Sequence, residues 1–465
     1  MTSPPLDVAV VGGGITGLVA AHRLQQAGLE VALFESSDRP GGKVRTEPVA
    51  GFAVECGPDS FLIRGSSLPA LCAELGLGDR LVSPALGRAG IWSRGRVRPL
   101  PEGMSMGVPS RPAALATSGI LSLRGAARAA LDLVLPATVP TGSTTVAEAI
   151  ERRFGREARE RLVDPLVGGI YAGDTSRLGL ADALPDIYST ASRSRSLLWA
   201  TWRRPRGKGP VFQSVSGGLQ ALTGALAAGL DHLHLDTPVT ALRPLPGGGF
   251  ELTVAGGSHF ARAVIVATPA PAAAGLLRVL EPAAADLLAT IGHASVATIV
   301  LAYPRSALRA TGTSGFLVPP REGRLVTAVT WVWEKWPQAG SDEVALIRCS
   351  VGRAGDDRWA QMDDRMLLDA VRRDLEGLVG LGAEPLDSRI TRWEEALPQY
   401  EVGHAAKVAQ IERLLAGHSG LLVAGAAYHG VGLAACANQA ERAAQTVLAL
   451  AAAGRAEAAA GAASV

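Results

Sequence analysis

The residues with the clearest capacity for chemistry lie between Val8 and Glu35. Gly12, Gly14 and Gly17 form the spacing G-x-G-x-x-G directly after a run of mostly β-branched apolar residues. In this spacing the first glycine permits a tight turn, the second lets a pyrophosphate approach the backbone, and the third lets a helix pack on the strand. The N-terminus of that helix attracts anions through its free N–H groups and its dipole. The sequence therefore predicts a dinucleotide site.

Two further features extend this motif. Glu35 ends a second strand pattern, where a carboxylate accepts hydrogen bonds from the adenosine ribose and disfavours a 2′-phosphate. Residues 39–46 then read R-x-G-G-K-x-x-T, a second glycine turn whose cations, Arg39 and Lys43, can neutralise the pyrophosphate from its other side. A glycine-rich turn without a ligand is the alternative interpretation.

Composition limits the class of protein. The chain has 465 residues, which predicts two or three domains, and 48% of them are hydrophobic and 19% charged, as in a globular protein. A net charge of +2 gives no strong field for nucleic acid. The four cysteines lack metal-binding spacing and indicate a reducing compartment.

The sequence shows neither a signal peptide nor a clear membrane span. Only six residues precede the first strand region at residue 7, which leaves no room for a leader. The uncharged run 420–440 contains Gly425, Gly430, Gly432, Asn438 and Gln439, so it is predicted to form a strand, a loop and a helix. We expect a cytoplasmic protein without a transmembrane anchor and without a nucleic-acid partner.

Three segments of the first half have open interpretations. A hairpin is predicted over 86–100, and its four arginines either are solvated or recognise carboxylates. The glycines of LVGGIYAGD (166–174) indicate close approach by a helix or by a flat ligand, within a region of 99–204 that is predicted to be helical. The basic stretch 193–208, with Trp199 and Trp202, is interpreted as a connector, with single-stranded nucleic acid or a membrane surface as alternatives.

The second half predicts more sheet. Strands at 232–235, 237–242 and 249–254 precede the apolar run 263–269 and are expected to form a β-meander. His232 and His234 could be metal ligands, but they lack a third partner. Strands within 295–351 and a helix at 365–378 predict a second sheet, and a last strand at 420–426 leads into a helix from Ala434.

These motifs together resemble the protoporphyrinogen/coproporphyrinogen oxidase family, from Val8 to about Ala449. The most specific segments are GPDSFL (57–62), GGIYAGD (168–174), RWEEALPQYEVGH (392–404) and GVGL (430–433). PEGMSMGVPSRP (101–112) and WVWEKWP (331–337) resemble the soluble, coproporphyrinogen-using branch. Flavin amine oxidases share the first glycine motif but not GGIYAGD.

The resemblance implies an α/β (α+β multidomain) fold. A glutathione-reductase-like FAD domain with a β-meander would comprise residues 1–62, 212–275 and 417–450. A mixed-sheet substrate domain would comprise 63–98 and 276–416, a helical domain 99–211, and a flexible tail 451–465.

The resemblance also implies the site residues. Non-covalently bound FAD would contact Gly12, Gly13, Gly14, Ile15, Thr16, Gly17, Glu35, Ser36, Lys43, Gly57, Pro58, Asp59, Ser60, Val239, Trp393, Val431, Gly432 and Leu433. The substrate would meet Arg88 near a propionate, the Gly169 carbonyl, Leu317 and Arg64. The chain departs from the family pattern after Arg64, where Gly65-Ser66-Ser67 replaces basic residues, and at Cys349-Ser350, where many relatives have an aromatic residue.

The implied activity is the oxidation of coproporphyrinogen III to coproporphyrin III in haem biosynthesis, in three two-electron steps with oxygen as acceptor and peroxide as product. Flavin N5 would accept the hydride, so no catalytic side chain and no metal is expected. Protoporphyrinogen IX is the alternative substrate, and an amine oxidase or a non-catalytic porphyrin carrier are alternative functions. A ferrochelatase is a candidate partner, and the chain would be a monomer or a homodimer.

Overall fold

A computed structural model of the chain describes residues 5–101, 104, 108, 112–136, 139–203 and 209–462. Most of the motif at 101–112 and the basic residues 204–208 lie outside this part. The strands are β1 (Leu6–Val11), β2 (Val31–Phe34), β3 (Thr46–Val49), β4 (Phe52–Glu55), β5 (Phe61–Leu62), β6 (Leu81–Val82), β7 (Gly90–Ser93), β8 (Arg96–Pro99), β9 (Phe212–Val215), β10 (His232–His234), β11 (Ala241–Pro244), β12 (Phe250–Val254), β13 (Gly257–Val266), β14 (His293–Pro304), β15 (Gly315–Leu317), β16 (Val326–Trp331), β17 (Val344–Val351), β18 (Asp387–Pro398) and β19 (Leu421–Val423). The helices are α1 (Ile15–Gln26), α2 (Leu68–Glu74), α3 (Pro112–Ser118), α4 (Leu123–Ala130), α5 (Val146–Phe154), α6 (Arg156–Ala158), α7 (Asp164–Tyr171), α8 (Leu180–Ala183), α9 (Pro185–Arg193), α10 (Leu197–Arg203), α11 (Gln220–Ala228), α12 (Ala270–Leu277), α13 (Pro282–Ala289), α14 (Val332–Lys335), α15 (Asp364–Val379), α16 (His404–Leu415) and α17 (Leu433–Ala462).

The first sheet has the strand order β10-β2-β1-β13-β12-β11, with β19 also paired to β13. Its strands β10, β2, β1, β13 and β19 run parallel. Helices α1, α2, α11 and α17 contribute to the core on one face, and α12, α13 and α16 to the core on the other. A parallel sheet covered on both faces needs apolar residues at consecutive positions in its strands. Such runs are visible in the sequence, which is why the first strand, turn, helix and second strand could be predicted.

The predicted β-meander is present, but its strands are arranged differently. The ten-residue strand β13 pairs antiparallel with β12 through its first half and parallel with β1 through its second half, so one strand serves both the meander and the main sheet. β10 does not belong to the meander, because it pairs with β2 at the opposite edge. Residues 237–240 form no strand. The local apolar pattern indicates a strand but does not specify its partner.

The second sheet has the order β18-β14-β17-β16-β15-β7-β8, and α15 packs on it through Leu367, Val371 and Leu375. The hairpin β7–β8 was predicted, and its turn is Arg94-Gly95. The twelve-residue edge strand β18 was not predicted, because most of its residues are only partly buried or exposed and give no clean alternation. β7 pairs in parallel with β15, which brings the hairpin beside Leu317.

The region 112–203 is helical, as expected, and packs around a core that includes Ile150, Phe154 and Val167. Helical apolar spacing predicts a helix over 146–154, and α5 has these bounds. It begins with a capping box formed by Thr145 and Glu148. Helices α6 and α7 are joined by a π-helical stretch at 159–163. Tyr400 and Ile91 also contribute to this core, so the helical region is attached to the second sheet.

The domain ranges remain a prediction, although several elements pack across them. Helices α2, α13 and α16, all within the predicted substrate domain, are buried against the first sheet.

A helix continues through Ala462 where a flexible tail was predicted, because the alanine-rich end has high helix propensity. Residues 420–440 form β19, a loop and the start of α17 as predicted, and every helix in the described part of the chain is too short or too polar to cross a membrane.

Candidate active site

The first glycine turn combines space with unpaired backbone donors. Gly14 precedes α1 with φ −70° and ψ 176°, and none of the described atoms lies within 4 Å of a Cβ added there. A Cβ on Gly17 would instead lie 1.9 Å from the Gly12 carbonyl oxygen, because α1 packs directly on the turn. No described side chain caps the N-terminus of α1, so N–H groups remain available. This geometry fits a pyrophosphate.

Glu35 lies beside this turn at the end of β2. Its Oε2 accepts a hydrogen bond from the Gly13 N–H at 2.5 Å, and its Oε1 accepts from the Ser37 N–H and hydroxyl at 2.9 and 2.7 Å. Ser36 donates a longer bond to Oε1 at 3.3 Å. These contacts orient Glu35, and because Oε1 accepts three of them and Oε2 only one, Oε2 keeps a lone pair for a ribose hydroxyl. Val239 lies near this end of the turn, two residues after Thr237, whose N–H donates to the Glu35 carbonyl.

The second glycine turn faces the first, because Gly41 donates to the Gly13 carbonyl oxygen at 2.8 Å. Arg39, predicted to face the pyrophosphate, instead donates to the carbonyls of Pro40, Gly42 and Val44 and so stabilises its own loop. Lys43 forms no hydrogen bond or ion pair with any described residue, and burial lowers the pKa of its ammonium. A desolvated cation without a carboxylate partner suits an anionic ligand.

The loop Gly57–Ser60 packs tightly on Lys43. A Cβ on Gly57 would lie 1.9 Å from the Lys43 carbonyl oxygen, and the Trp393 indole N–H donates to the Cys56 carbonyl at 2.9 Å. Asp59 has its side chain 15% exposed and accepts from Lys335 Nζ at 2.7 Å. Burial alone would raise the pKa of Asp59, but Lys335 and Arg348 outweigh it and hold that pKa well below its usual range. Asp59 is therefore an anion, and its ion pair with Lys335 holds this loop in place.

The start of α17 meets the start of α1. The Cys436 thiol donates to the Gly430 carbonyl oxygen at 3.9 Å, and Thr16 and Lys43 both lie close enough to influence the pKa of Cys436. Val431, before the helix, packs against the core of the helical region. The two helix N-termini and Lys43 thus converge on one region.

The predicted substrate residues Gly169 and Leu317 are brought together by α7 and β15. A Cβ on Gly169 would lie 3.5 Å from Leu317 Cδ2, whereas the neighbouring Gly168 faces open space among the described residues. In the part of the chain that the structure describes, no helix packs on these glycines, so the geometry favours the flat-ligand interpretation. Arg88 is exposed and its carbonyl accepts from the Ser314 N–H at 2.9 Å, next to β15. Arg64 is exposed on the loop after β5.

The four hairpin arginines do not share one location. Arg88 precedes β7, whereas Arg94 lies in the turn at its other end, about 15 to 20 Å of extended chain away. Arg98 donates to the Ser93 carbonyl at 3.1 Å. Of these cations, Arg88 is the one whose backbone contacts Ser314, directly before β15.

A cavity of about 270 Å³ lies on the side of the Gly57–Ser60 loop that carries Asp59. It is lined by Asp59, Arg348, Trp336 and Glu55, among others. Glu55 accepts from the Leu219 N–H at 2.5 Å and from the Thr46 hydroxyl at 3.0 Å, yet burial dominates and raises its pKa to about 7. This carboxyl titrates near neutral pH.

We expect Glu55 to make stability depend on pH. Its pKa is about 7 in the folded chain against 4.5 as its ordinary value, so the folded state binds more protons between these values and the free energy of unfolding falls as pH rises through that window. The change is roughly 2 to 3 kcal/mol. Glu55→Gln should flatten this slope, measured as urea midpoints at pH 5 and 8. Equal slopes in both proteins would contradict the assignment.

Sequence reasoning did not identify several residues that hold the site. Lys335 and Arg348 lie 276 and 291 residues along the chain from the loop residues they contact, and only folding brings them there. Gln439 lies much closer in sequence, 14 and 10 residues after Gly425 and His429. Lys335 belongs to the WVWEKWP motif, which was a usable signal.

The family of flavin containing amine oxidoreductases matches residues 15–448. The coproporphyrinogen III oxidase of Bacillus subtilis is 36% identical over 96% of this chain and 99% of its own length, and that of Mycobacterium bovis is 36% identical over 96% and 98%. A solved structure from Exiguobacterium sp. 255-15, named as a protoporphyrinogen oxidase, has a TM-score of 0.85 and 31% identity, covering 96% of this chain and 99% of that one.

Proposed function

The chain belongs to the flavin-containing amine oxidoreductase family, in the group of the coproporphyrinogen III oxidases, and we propose that it oxidises coproporphyrinogen III to coproporphyrin III with bound FAD. The observation that carries this proposal is the full-length relationship to several coproporphyrinogen III oxidases at 29–36% identity. The shape of the site supports it independently.

The residues present fit FAD. Gly12–Gly17 would hold the pyrophosphate, with Glu35 at the adenosine ribose and Lys43 opposite it. Gly57–Ser60, Trp393 and Val431–Leu433 would surround the flavin, which when bound supplies the hydride acceptor for the reaction. Gly57 and Lys43 are in direct contact, so the two halves of the cofactor would be held by one rigid unit.

The substrate would lie against α7 and β15. Gly168 and Gly169 have no side chains there, so a macrocycle could approach the helix, and Leu317 would pack on it. Three two-electron steps remove six hydrogens from the macrocycle, one from each of the four methylene bridges and one from each of two pyrrole nitrogens. Three of them leave as hydrides from the bridges, and the other three leave as protons. Oxygen takes up the electrons and becomes peroxide. We assign the side chains the task of orienting the macrocycle and excluding water, without an acid or base of their own.

A direct test compares porphyrin formation from both porphyrinogens, followed by fluorescence. We expect a higher kcat/KM for coproporphyrinogen III, because it carries four propionates and protoporphyrinogen IX carries two. A higher value for protoporphyrinogen IX would reverse the substrate assignment. Heat denaturation should release FAD, and a preparation that cannot be loaded with FAD would overturn the proposal.

Arg88→Ala should reduce kcat/KM for coproporphyrinogen III several-fold. Arg88 is exposed beside β15, so its ion pair with a propionate would contribute about 0 to 1 kcal/mol. Arg96→Ala removes an exposed cation on β8 and is the matched control, expected to leave kcat/KM unchanged. Equal effects of the two substitutions would remove Arg88 from the substrate site.

The alternative functions give different results on anaerobic mixing. A porphyrinogen oxidase should lose its flavin absorbance with porphyrinogen, an amine oxidase only with amines, and a carrier with neither despite binding. Cytoplasmic location, transfer of the product to a ferrochelatase, and a monomeric or dimeric state are further parts of this proposal.

A further inference from the structure

The loop 424–432 connects β19 to α17, and its last two residues belong to the predicted flavin contacts Val431–Leu433. It contains two glycines with positive φ, Gly425 at +137° and Gly430 at +119°, so it follows neither a helical nor a strand path. Its backbone groups therefore need partners outside the loop. Gln439 supplies one set, because its Oε1 accepts from the N–H groups of Gly425 and His429 at 3.3 and 3.4 Å.

Tyr400 supplies the shortest contacts to this loop. Its hydroxyl donates to the Ala426 carbonyl oxygen at 2.7 Å and accepts from the Gly430 N–H at 2.7 Å. The carbonyl of residue i and the N–H of residue i+4 would bond directly in an α-helix, and here a phenol oxygen stands between them. Tyr400 is 3% exposed, and burial raises the pKa of its hydroxyl, so it remains protonated and able to donate.

Tyr400 and its neighbour Gln399 also contact the end of α7. The Gln399 side-chain amide donates to the Tyr171 carbonyl oxygen at 2.8 Å, and the Tyr171 and Tyr400 ring centroids are 5.5 Å apart. Tyr171 is two residues beyond Gly169. On the other side, His404 stacks on the Tyr400 ring at 3.9 Å, and burial lowers the pKa of His404 to about 4, so this ring is neutral at pH 7.

We propose that Tyr400 is a positioning residue that fixes the flavin-side loop 424–432 relative to the substrate-side end of α7. The inference rests on the proposed function only in taking the loop 424–432 to face the flavin and the end of α7 to face the substrate. Its hydrogen bonds define the shape of the loop, and its ring contacts determine the distance to α7. Neither task requires Tyr400 to touch the substrate or the cofactor.

Tyr400→Phe removes the two hydrogen bonds and keeps the ring contacts. Tyr428→Phe is the matched control, because Tyr428 is equally buried at 3%, lies in the same loop, and its hydroxyl has no partner among the described residues. In the full chain without FAD, amide exchange across 425–432 should become about tenfold faster in Tyr400→Phe, since two buried hydrogen bonds are lost. Tyr428→Phe should match the wild type.

Two further measurements separate positioning from simple packing. Tyr400→Phe should raise the Kd for FAD about five- to tenfold and lower kcat for the porphyrinogen more than it changes KM, with Tyr428→Phe again unchanged. Equal exchange rates and equal FAD affinity for the two variants would overturn the inference. Because exchange and FAD titration involve no porphyrinogen, they remain decisive even if the substrate assignment fails.

If Tyr400→Phe does not fold, the wild type decides the question. The Gly430 N–H donates to Tyr400, whereas the Val431 N–H has no hydrogen-bond partner among the described residues, so Gly430 should exchange at least about tenfold more slowly in the FAD-free chain. Equal exchange of the two amides would refute the role of Tyr400.

Discussion

Gly14→Ala is expected to weaken FAD binding about a hundredfold or more while leaving the FAD-free protein folded. The backbone at Gly14, with φ −70° and ψ 176°, is open to any residue, and an added Cβ meets no described atom within 4 Å. The same methyl group would occupy the space through which a pyrophosphate must approach the N-terminus of α1. A hundredfold loss corresponds to about 3 kcal/mol. Fluorescence titration of the FAD-free protein with FAD measures the affinity, and thermal unfolding measures the stability.

Gly17→Ala is the matched comparison within the same motif. Its Cβ would lie 1.9 Å from the Gly12 carbonyl oxygen, so the FAD-free protein itself should lose several kcal/mol of stability or fail to fold. Substitution of Gly14 should therefore affect FAD affinity, whereas substitution of Gly17 should affect the stability of the FAD-free protein. Normal FAD affinity in Gly14→Ala would show that the turn does not hold the pyrophosphate.

Arg153→Ala is expected to destabilise the helical region by about 3 to 5 kcal/mol, because it leaves Asp132 as an uncompensated buried charge. Arg153 and Asp132 are 5% and 2% exposed, and their closest atoms are 3.3 Å apart. Arg153 also donates to the carbonyls of Ala191, Ser194 and Arg195 at the end of α9. Asp132 accepts from Ser196 and from the Leu198 N–H at the start of α10. The pair thus joins a helix C-terminus to a helix N-terminus with the charges that each end prefers.

Thermal unfolding followed by circular dichroism tests this expectation. Arg156→Ala is the control, because Arg156 pairs with Glu160 at the surface with its side chain 78% exposed and should change stability by less than about 0.5 kcal/mol. A similar small change for Arg153→Ala would show that Asp132 finds compensation elsewhere. Since α7 belongs to this region, the destabilised variant should also lose porphyrinogen turnover before it loses FAD.

The sequence determined those parts of the protein that depend on local spacing. The first strand, glycine turn and helix, the bounds of α5 and the hairpin β7–β8 follow from glycine geometry, capping and apolar periodicity, all of which act within about twenty residues. The family motifs extended this to a flavin oxidoreductase, and the family comparison confirmed it. The density of glycines in α7 also indicated that a helix or a flat ligand approaches the backbone there.

Only the tertiary structure decided which distant residues meet. Arg39 could be read as a pyrophosphate ligand, but its donors are taken by carbonyls of its own loop, whereas Lys43 has no partner in the described part of the chain. The partners of β10 and β18 depended on pairing across long loops, which side-chain alternation does not encode. Asp59 meets Lys335 across 276 residues of sequence, and Tyr400 meets Gly430 across 30. Such contacts form because burial leaves each polar group in need of a partner, and the fold alone determines which partner is within reach.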